Sequence, residues 1–424
     1  MSSTKQDKPF ALADCDNFYV SCERLFQPKY KSTPVVVLSN NDGCIVARSP
    51  EVKALGVGMG KPFYEFKDII ERHKVKVFSS NYTLYGDISR RVMETLKGLA
   101  AQVEVYSIDE AFLILGTNEG LKLGKHIRRK VLKNIGIPLT IGIGQTKTLA
   151  KIAAEYAKKR GDGQSVFDLY SCLKPDEILE SVLVQDIWGV GLKTAEWLYQ
   201  RGINTALDLK RINDETIRKR AGVVGLRTVY ELRGISCIEL RALNAPKKGI
   251  TSSRSFGRYV TALKDLEESI ATHATIAGEK LRKDNSVAGE ISAFITTNVY
   301  SNNPQYGKSL PISIHPPSSA TNELIKPALA ALRKIYKPGY RYIKAGVMLN
   351  KISPASQRQI DMFVPRDVEK EEQIYRSVDR INLFFGSNTI RPASCGIKQN
   401  WKMKQDFNSP RFTTKWEELP VARI

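Results

Sequence analysis

The residues of this sequence that are best suited to chemistry are two adjacent acids inside an apolar run. Asp109 and Glu110 lie within VEVYSIDEAFLIL, residues 103–115, where most neighbours are aliphatic or aromatic residues typical of a core. Burying an unpaired carboxylate among such residues is costly, and the group either binds a proton or acquires a partner. These two acids therefore need solvent, a cation or a basic side chain close by.

A hairpin would bring both acids to one place. Successive residues of a strand face opposite sides of a sheet, so Asp109 and Glu110 can share a target only at a tip between strands 103–108 and 111–115. Asp-Glu is a poor pair for a tight turn, where Gly or Asn is favoured, so turn formation alone does not explain it. The plain alternative is that both are solvent-exposed turn acids, because most charged residues lie at the surface.

A third acid favours a cation site. Asp14 follows the short apolar run 10–13, which predicts a strand and then a helix. Carboxylates from two strand ends form an all-oxygen site of the kind that hard divalent cations prefer. Two Mg²⁺ ions held about 3.5–4 Å apart by such carboxylates can stabilise both the attacking and the leaving oxygen of a phosphoryl transfer.

The composition indicates a multidomain protein with a polyanionic partner. A chain of 424 residues with 42% hydrophobic content predicts two to four folded domains. Its net charge of +21 favours nucleic acid as the partner, with an anionic membrane as second choice. No apolar stretch approaches the ~20 residues of a membrane span, and the first residues do not resemble a signal peptide. The six cysteines lack CxxC and zinc-ligand spacing, so we expect reduced thiols and a cytoplasmic protein.

The order of predicted elements indicates an α+β chain. Strands and helices alternate up to about residue 174, which predicts a mixed sheet covered by helices. Residues 175–244 have a helical pattern, and NAPKKG at 244–249 is a polar linker. From 250 to 353 the pattern predicts strand, helix, strand, strand, helix, strand, and it then weakens into a tail.

Two of these segments resemble a known pair of motifs. ALADCDNFYVSCE (11–23) together with VYSIDEAF (105–112) resembles the signature motifs of the Y-family DNA polymerases, which copy damaged templates. Four further segments are similar to that family's fingers, late palm, thumb and little-finger motifs, in that order: ARSPEVKALGVGMGKP (47–62), GIGQTKTLAKIAAEYAKKRG (142–161), LVQDIWGVGLKTAEWL (183–198) and SRSFG (253–257). Three more resemble its UmuC-like branch: VVVLSNNDGCIVARS (35–49), FSSNYTLYGDISRRV (78–92) and SPRFTTKW (409–416).

The resemblance implies a right-hand polymerase fold of several domains. Its expected parts are a catalytic palm, small fingers, a helical thumb with a helix-hairpin-helix, a linker, a βαββαβ little finger and a tail that carries a clamp peptide and a UmuC-type extension. The expected boundaries, in that order, are 8–17 with 83–174, 18–82, 175–244, 245–250, 251–353 and 354–424.

The resemblance also implies roles for the acids. Asp14 and Asp109 match the aspartates that bridge two Mg²⁺ ions, and Glu110 matches a glutamate that also binds metal, near the primer 3′ end. The backbone carbonyl of Cys15 matches a further metal ligand. All three acids are therefore expected to be catalytic.

Other matched residues are expected to bind the incoming deoxynucleoside triphosphate. Phe18 and Tyr19 match the aromatic pair in which the second residue is the steric gate against a ribose 2′-hydroxyl, although both could simply be core aromatics of a helix. Lys53 and Lys158 match lysines that bind the triphosphate. Pro50 departs from the family, where many relatives have a Tyr that touches phosphate, and Arg48 is a possible substitute.

The thumb, little finger and tail carry the expected macromolecular contacts. Neither IGIGQTKT nor GVGLKT satisfies the P-loop spacing, so no P-loop ATPase is supported. Six residues are expected to contact the phosphates of primed template DNA: Gly189, Val190, Gly191, Lys193, Arg254 and Arg258. The alternative is that the glycines form a plain turn and that the basic residues are solvated surface charges. The tail segment QIDMF resembles a sliding-clamp peptide, unless it is a chance amphipathic fragment: Gln359, Ile360, Asp361, Met362 and Phe363. By resemblance alone, a processed UmuD-type dimer and RecA are further partners, and no membrane is expected.

The sequence therefore predicts an error-prone, template-directed DNA polymerase that acts in translesion synthesis and SOS mutagenesis. No second acidic constellation suggests a proofreading exonuclease. Two alternatives stay open: a DNA-binding accessory protein on a polymerase-like scaffold that has lost its chemistry, and a metal-dependent nuclease that uses the same acids. Intact Asp14, Asp109 and Glu110 argue against the first, and Tyr19 with the expected triphosphate lysines argues against the second.

Overall fold

The chain folds as two units that are built from separate parts of the sequence. The computed structural model describes residues 8–115, 120–160, 165–240, 246–358 and 367–421. The first unit comprises Met1–Leu38, Cys44–Ala245 and Phe407–Ile424, and the second comprises Ser39–Gly43 and Pro246–Asp406. None of the helices in the described ranges is both long and apolar enough to span a membrane.

The first unit combines two sheets with helices on either side. Its strands are β1 Phe10–Cys15, β2 Val35–Leu38, β3 Ile45–Arg48, β4 Lys76–Ser79, β5 Gln102–Val105, β6 Glu110–Ile114, β7 Leu139–Gly144 and β8 Val166–Asp168. Its helices are α1 Phe18–Phe26, α2 Pro50–Ala54, α3 Lys67–Arg72, α4 Tyr82–Lys97, α5 Gly120–Ile135, α6 Lys147–Arg160, α7 Pro175–Glu180, α8 Leu192–Tyr199, α9 Ala206–Arg211 and α10 Asp214–Leu232.

The larger sheet holds the acids. Its strand order is β5-β6-β1-β7-β8, antiparallel except for the parallel pair β7 and β8. β5 and β6 form the predicted hairpin, with Asp109 in the connection and Glu110 as the first residue of β6. The mixed sheet predicted from the alternation of strands and helices is therefore confirmed.

Side-chain alternation gives this sheet two different faces. On β1, Ala11, Ala13 and Cys15 belong to the core that also includes residues of α4 and α5. Phe10 and Leu12 point the other way and pack with alanines of α6. Asp14 continues the second set, because residues two apart share a face. The acid therefore lies on the side of the sheet that α6 covers.

The remaining elements of the first unit form two smaller layers. β3, β2 and β4 form a three-stranded sheet, in that order, with a small core shared with α2 and α3. β2 and β3 are antiparallel, whereas β2 and β4 are parallel. Helices α7 to α10 surround a separate apolar cluster, in agreement with the helical pattern of 175–244.

The second unit has the predicted βαββαβ order. Its elements are β9 Ile250–Val260, α11 Leu263–Lys283, β10 Ser286–Thr297, β11 Gly307–Ser318, α12 Thr321–Ile335, β12 Tyr342–Pro354 and α13 Val368–Phe385. The sheet order is β11-β10-β12-β9, and all pairs are antiparallel. Residues of α11 and α12 form one core with this sheet. The predicted α+β architecture is thus confirmed.

Helix α13 is an element that the weak sequence pattern of the tail did not predict. The guanidinium of Arg282 on α11 donates to both carboxylate oxygens of Asp379, at 2.7 and 2.8 Å. Bidentate pairs of this kind are among the stronger charged hydrogen bonds. Cys395 and Trp401, further along the tail, are buried in the core of the same unit.

The end of the tail returns to the first unit, where it meets a buried acid. Glu23 on α1 is fully buried, and its Oε1 accepts hydrogen bonds from the hydroxyls of Tyr85 at 2.7 Å and Ser409 at 2.8 Å. Its other oxygen, Oε2, has no hydrogen-bond partner among the described residues. Burial raises the pKa of Glu23 to about 7, and the two hydroxyl donors only partly oppose that rise.

Replacing this acid by its amide should change how stability depends on pH. A carboxyl whose pKa is raised by folding stabilises the folded state below pH ~4.5, and that contribution is lost as the pH rises through about 7. We expect the free energy of unfolding of Glu23→Gln, relative to wild type, to be higher at pH 8 than at pH 5 by roughly 2–3 kcal/mol. Hydrogen exchange of the buried amides of β1 measures it.

The matched control is Glu71→Gln, which changes an exposed glutamate of α3. It should show nearly the same difference from wild type at both pH values. A Glu23→Gln difference that stays constant between pH 5 and pH 8 would contradict the assignment of a raised pKa.

Candidate active site

Asp14 and Glu110 face each other on neighbouring strands. They are register partners of the antiparallel pair β1 and β6, one residue from the end of β1 and at the start of β6. Both lie on the face covered by α6, because Phe112 and Ile114 share the face of Glu110 and pack with alanines of α6. The strand ends therefore bring together two acids that are almost a hundred residues apart in sequence.

The covering helix lies unusually close to the sheet because of two glycines. A Cβ on Gly142 would lie 2.1 Å from the Ala154 nitrogen, and one on Gly144 would lie 2.6 Å from the Ala150 nitrogen. Contacts this short to backbone atoms leave no room for a side chain, so only glycine permits this packing. Because of it, the lysines of α6 reach the face that carries the acids.

Asp14 is paired with one of these lysines. Lys158 Nζ lies 2.6 Å from Asp14 Oδ2. Burial raises the pKa of Asp14 to about 6; Lys158 opposes this rise, while the nearby Glu110 and Asp109 add to it. Burial also disfavours the charge on Lys158, but Asp14 outweighs it and raises the pKa of the lysine. The positive charge of Lys158 is therefore not enough to return the pKa of this buried acid to its ordinary value.

Glu110 is paired with a second lysine of α6. Lys151 Nζ lies 3.0 Å from both carboxylate oxygens of Glu110. The same ammonium group lies 4.7 Å from the centre of the Tyr106 ring and 5.6 Å from the Trp188 ring, which adds a cation–π contribution. Glu110, Lys151 and Trp188, with Asp14, line a cleft of about 470 Å³.

Asp109 lies in the loop before β6 and does not line the cleft that contains Glu110. Ser107 Oγ donates to Asp109 Oδ1 at 2.5 Å and also accepts from the backbone N–H of Glu110 at 3.0 Å, which shapes the loop. The Cys15 N–H donates to the Asp109 carbonyl at 2.9 Å. Asp109 therefore sits beside Asp14 and Cys15 along a second, larger cleft of about 1010 Å³.

Four basic side chains line this larger cleft: Arg24, Arg48, Lys53 and Lys158. Pro50 is also part of its wall. Partial burial and then repulsion from Arg48 and Lys158 lower the pKa of Lys53. Cations held this close together repel each other, and an anionic ligand would relieve that repulsion. The guanidinium of Arg48 already donates to the Val57 carbonyl, which fixes its position.

The predicted aromatic pair adjoins the acids in the same cleft. Phe18 and Tyr19 begin α1, directly after the turn that follows β1, and both line the cleft. Phe18 is buried, whereas Tyr19 is half-buried and stacks on Tyr85 of α4 with 4.4 Å between ring centres and 16° between planes. Tyr19 thus combines a fixed ring position with access to the cleft.

The predicted DNA contacts lie in both units. Gly189 has a φ of +93°, and Gly191 is the N-cap of α8, followed by the exposed Lys193. The N–H of Val190 donates to the Ile187 carbonyl at 3.0 Å, so that amide is committed to a turn.

In the second unit, Arg254 and Arg258 are exposed on β9. Arg258 also lies 3.5 Å from Asp265. The predicted clamp peptide, residues 359–363, lies outside the described residues.

Sequence reasoning missed two residues of the site. Ser107 and Lys151 each bond directly to one of the acids, yet neither was singled out. Lys151 lies seven residues before Lys158, which is two helical turns, so both occupy the same side of α6. That spacing, combined with the prediction that Lys158 reaches the site, would have identified Lys151.

Family comparisons match most of the chain. The impB/mucB/samB family matches residues 13–155, and the C-terminal domain of the same family matches residues 247–362. A domain of unknown function, DUF4113, matches residues 372–422. The first match includes all three acids, and the last includes α13 from residue 372 onward and the end of the tail.

Curated relatives extend over nearly the full length. The chain is 40% identical to Protein UmuC of Salmonella typhimurium, over 97% of this chain and 99% of the relative. It is also 40% identical to Protein SamB of Salmonella typhimurium, over 98% of this chain and all of the relative. A DNA polymerase IV of Desulfatibacillum aliphaticivorans is 25% identical, over 90% and 95% of the two chains.

Solved structures share the fold at low identity. A Y-family DNA polymerase chimera of Dbh and Dpo4 aligns with a TM-score of 0.66 over 82% of this chain and 99% of its own, at 22% identity. An insertion ternary complex of Dbh DNA polymerase aligns with a TM-score of 0.56 over the same shares, at 21% identity. The predicted right-hand fold is confirmed as that of the Y-family DNA polymerases, and the class of protein is a DNA polymerase. Within this class the chain belongs to the impB/mucB/samB family, as its UmuC-like motifs predicted.

Removal of the lysine that holds Asp14 should be visible in the titration of that acid. In Lys158→Gln the lowering effect of the ammonium is lost, so we expect the pKa of Asp14 to rise above its value of about 6 by about 1 or more. Protonation would then begin at a higher pH. Carboxyl-carbon NMR of the metal-free protein measures this directly.

The control is Lys159→Gln, which removes the next lysine of the same helix. The ammonium group of Lys159 lies 3.9 Å from Asp186. We expect the titration of Asp14 to stay close to that of wild type. Equal titration curves in Lys158→Gln and Lys159→Gln would contradict the pairing of Lys158 with Asp14.

Proposed function

We propose that the chain synthesises DNA past template lesions, by transferring nucleotidyl groups from deoxynucleoside triphosphates to a primer 3′ end. The strongest support is that Asp14 lines two clefts at once. One contains Asp109 and the basic residues Lys53 and Lys158, and the other contains Glu110. Membership of a polymerase family supports the same reaction.

The carboxylates suit a divalent cation. As the side chains stand, the described part of the chain contains no group of three His, Cys, Asp or Glu residues close enough to share a metal ion. Lys158 and Lys151 pair with Asp14 and Glu110. Asp14 nevertheless has a raised pKa and two acidic neighbours, so added positive charge would stabilise its ionised form. All the candidate ligands are oxygen atoms, which Mg²⁺ prefers.

We assign the metal ligands as Asp14, Asp109, Glu110 and the Cys15 carbonyl, for two Mg²⁺ ions. The chemistry that bound Mg²⁺ would supply is activation of the primer 3′-hydroxyl and neutralisation of the triphosphate. Asp14 and Asp109 would hold the metal ions beside the triphosphate, because both line the cleft that contains Lys53. Glu110 would act nearer the primer, because it lines the other cleft.

The triphosphate would occupy the basic end of the larger cleft. Lys53, Lys158 and Arg48 would provide its positive surroundings, and an anion would relieve their mutual repulsion. Arg48 is held by the Val57 carbonyl, so it would present a fixed guanidinium where Pro50 provides no hydroxyl. Lys158 would then exchange Asp14 for a phosphate oxygen.

Selection of the sugar would depend on Tyr19. Its ring lies beside the acids in the larger cleft and is braced from behind by the parallel ring of Tyr85. A braced ring cannot move aside for a ribose 2′-hydroxyl, so the collision would exclude ribonucleotides.

DNA and protein partners would use the outer surfaces. Exposed Lys193, Arg254 and Arg258, with the amides of Gly189 and Gly191, would bind template and primer phosphates. By resemblance, we also propose a sliding clamp bound by residues 359–363, a processed UmuD-type dimer and RecA. Because the substrate would be primed DNA, we propose that the chain acts in the cytoplasm.

Primer extension tests the reaction. With a primed template that carries a lesion, the four deoxynucleotides and Mg²⁺, we expect wild type to lengthen the primer. Asp109→Asn keeps the size of the side chain but removes its charge, so we expect a rate at least ~100-fold lower, as for the loss of a group that stabilises transition-state charge.

Asp68→Asn, at an exposed position of α3, is the matched control and should extend primers like wild type. A wild-type chain that leaves the primer unchanged in the presence of the proposed partners would support the accessory-protein alternative. Shortening of the primer would support a nuclease.

Sugar selection tests Tyr19 separately. Tyr19→Ala removes the ring that faces the cleft, so we expect the preference for deoxynucleotides over ribonucleotides to fall by about 100-fold or more, the effect of losing a steric clash. Single-nucleotide incorporation gives the ratio of kcat/KM for the two sugars. Tyr170→Ala removes an exposed tyrosine ring that does not line the cleft and should leave the ratio unchanged. An unchanged ratio in Tyr19→Ala would reject the assignment.

A further inference from the structure

The last part of the chain is an integral part of the first unit. Phe412 is buried in the same core as the large sheet, and its ring stacks on Phe26 of α1 with 5.0 Å between centres and 14° between planes. Ser409 is also buried. Of the three matching families, only the domain of unknown function covers these residues, and nearly a fifth of this chain has no counterpart in the aligned polymerase chimera.

Hydrogen bonds hold the backbone on both sides of Ser409. The Ser79 N–H donates to the Phe407 carbonyl at 3.0 Å, and the Phe407 N–H donates to Ser79 Oγ at 3.0 Å. The side-chain amide of Asn81, the N-cap residue of α4, donates to the carbonyls of Ser409 and Pro410 at 3.2 and 3.1 Å. The tail therefore meets the start of α4 in a defined register.

The Ser409 hydroxyl points from there to the buried acid of α1. It donates to Glu23 Oε1 at 2.8 Å, and the hydroxyl of Tyr85 donates to the same oxygen at 2.7 Å. Within the described residues the second oxygen of Glu23 has no hydrogen-bond partner, so the carboxylate is held by the hydroxyls of Ser409 and Tyr85. The position of one hydroxyl thus affects how firmly the other is held.

Tyr85 connects this buried network to the larger cleft. Its ring is fully buried and lies parallel to the ring of Tyr19 at 4.4 Å. Stacked rings at this distance move together, because separating or tilting them loses their contact. A continuous series of contacts therefore runs from the tail through Glu23 and Tyr85 to the aromatic residue at the cleft.

We infer that the C-terminal segment positions the sugar-selecting residue, with Ser409 acting through Glu23 and Tyr85 on the ring of Tyr19. This inference rests on the proposed function of Tyr19. Ser409 is a positioning residue, since its hydroxyl bonds to Glu23 and Asn81 rather than to Asp14, Asp109 or Glu110. The segment matched as a domain of unknown function would thereby contribute to nucleotide discrimination as well as to folding.

A tail that only stabilised the unit would not need this connection. Phe412 already supplies the apolar anchor, and Asn81 already holds the backbone. The hydroxyl of Ser409 adds a directed bond to an acid whose other side-chain donor is Tyr85. The same hydroxyl also accepts from the side-chain amide of Asn81 at 3.0 Å, but that amide keeps its bonds to the Ser409 and Pro410 carbonyls. Loss of the hydroxyl should therefore affect ring position more than it affects attachment of the tail.

The test uses the full chain with Ser409→Ala, Ser409→Thr and Ser377→Ala. Ser377→Ala is the matched control, because that hydroxyl lies in α13 and donates to the Gln373 carbonyl of its own helix. We expect Ser409→Ala to lower the preference for deoxynucleotides by about threefold to tenfold, the effect of one net hydrogen bond. Ser409→Thr retains a hydroxyl and should restore part of the preference, while Ser377→Ala should match wild type.

A second measurement does not depend on catalysis. With fluorotyrosine incorporated at position 19, fluorine NMR reports the surroundings of that ring directly. We expect its resonance to shift or broaden in Ser409→Ala and to stay unchanged in Ser377→Ala. If the proposed function fails, Tyr19→Ala leaves sugar selection unaltered, yet the NMR shift still supports the positioning. A Ser409→Ala protein with the Tyr19 resonance and the sugar preference of wild type would overturn the inference.

Discussion

The electrostatics of the site depend on how closely one helix packs on one strand. α6 can lie directly on β7 because Gly142 and Gly144 lack side chains. This closeness brings the ammonium groups of Lys151 and Lys158 onto Glu110 and Asp14. An acid or a lysine buried alone at these positions would lose hydration without compensation. The arrangement of charge at the strand ends therefore depends on the absence of side chains at Gly142 and Gly144 of the neighbouring strand β7.

The ion pair of Lys158 with Asp14 is suited to an exchange of partners, because each member also has neighbours of like charge. Asp14 keeps a raised pKa even with Lys158 in contact, because it is buried and because Glu110 and Asp109 are close. On the other side, Lys158 faces Lys53, so each member of the pair also has like-charged neighbours. A metal-bound triphosphate would supply a cation for the acids and an anion for the lysines, and both sets would gain partners at once. Because of this reciprocity we propose that Asp14 and Lys158 belong to the polymerase site.

Much of this could be predicted from sequence, because the informative signals were local or carried by motifs. Apolar runs predicted the hairpin around Asp109 and the strand before Asp14, and the order of elements predicted the βαββαβ unit. Lys151 was missed because its role depends on which side of α6 meets the sheet. The tail could not be predicted, since Ser409 and Glu23 are 386 residues apart and no periodicity links such positions. Contacts that form only in three dimensions leave no pattern in a single sequence.

The most direct measurement of the central claim is a structure of the full chain with primed template, an incoming deoxynucleotide and Mg²⁺. We expect the Lys158 ammonium to leave Asp14 for a triphosphate oxygen, and Asp14 and Asp109 to hold metal in its place. The Tyr19 ring should lie against the sugar of the nucleotide while it remains stacked on Tyr85. A complex in which Lys158 stays on Asp14, with the triphosphate bound away from Lys53, would contradict the assignment of this cleft as the polymerase site.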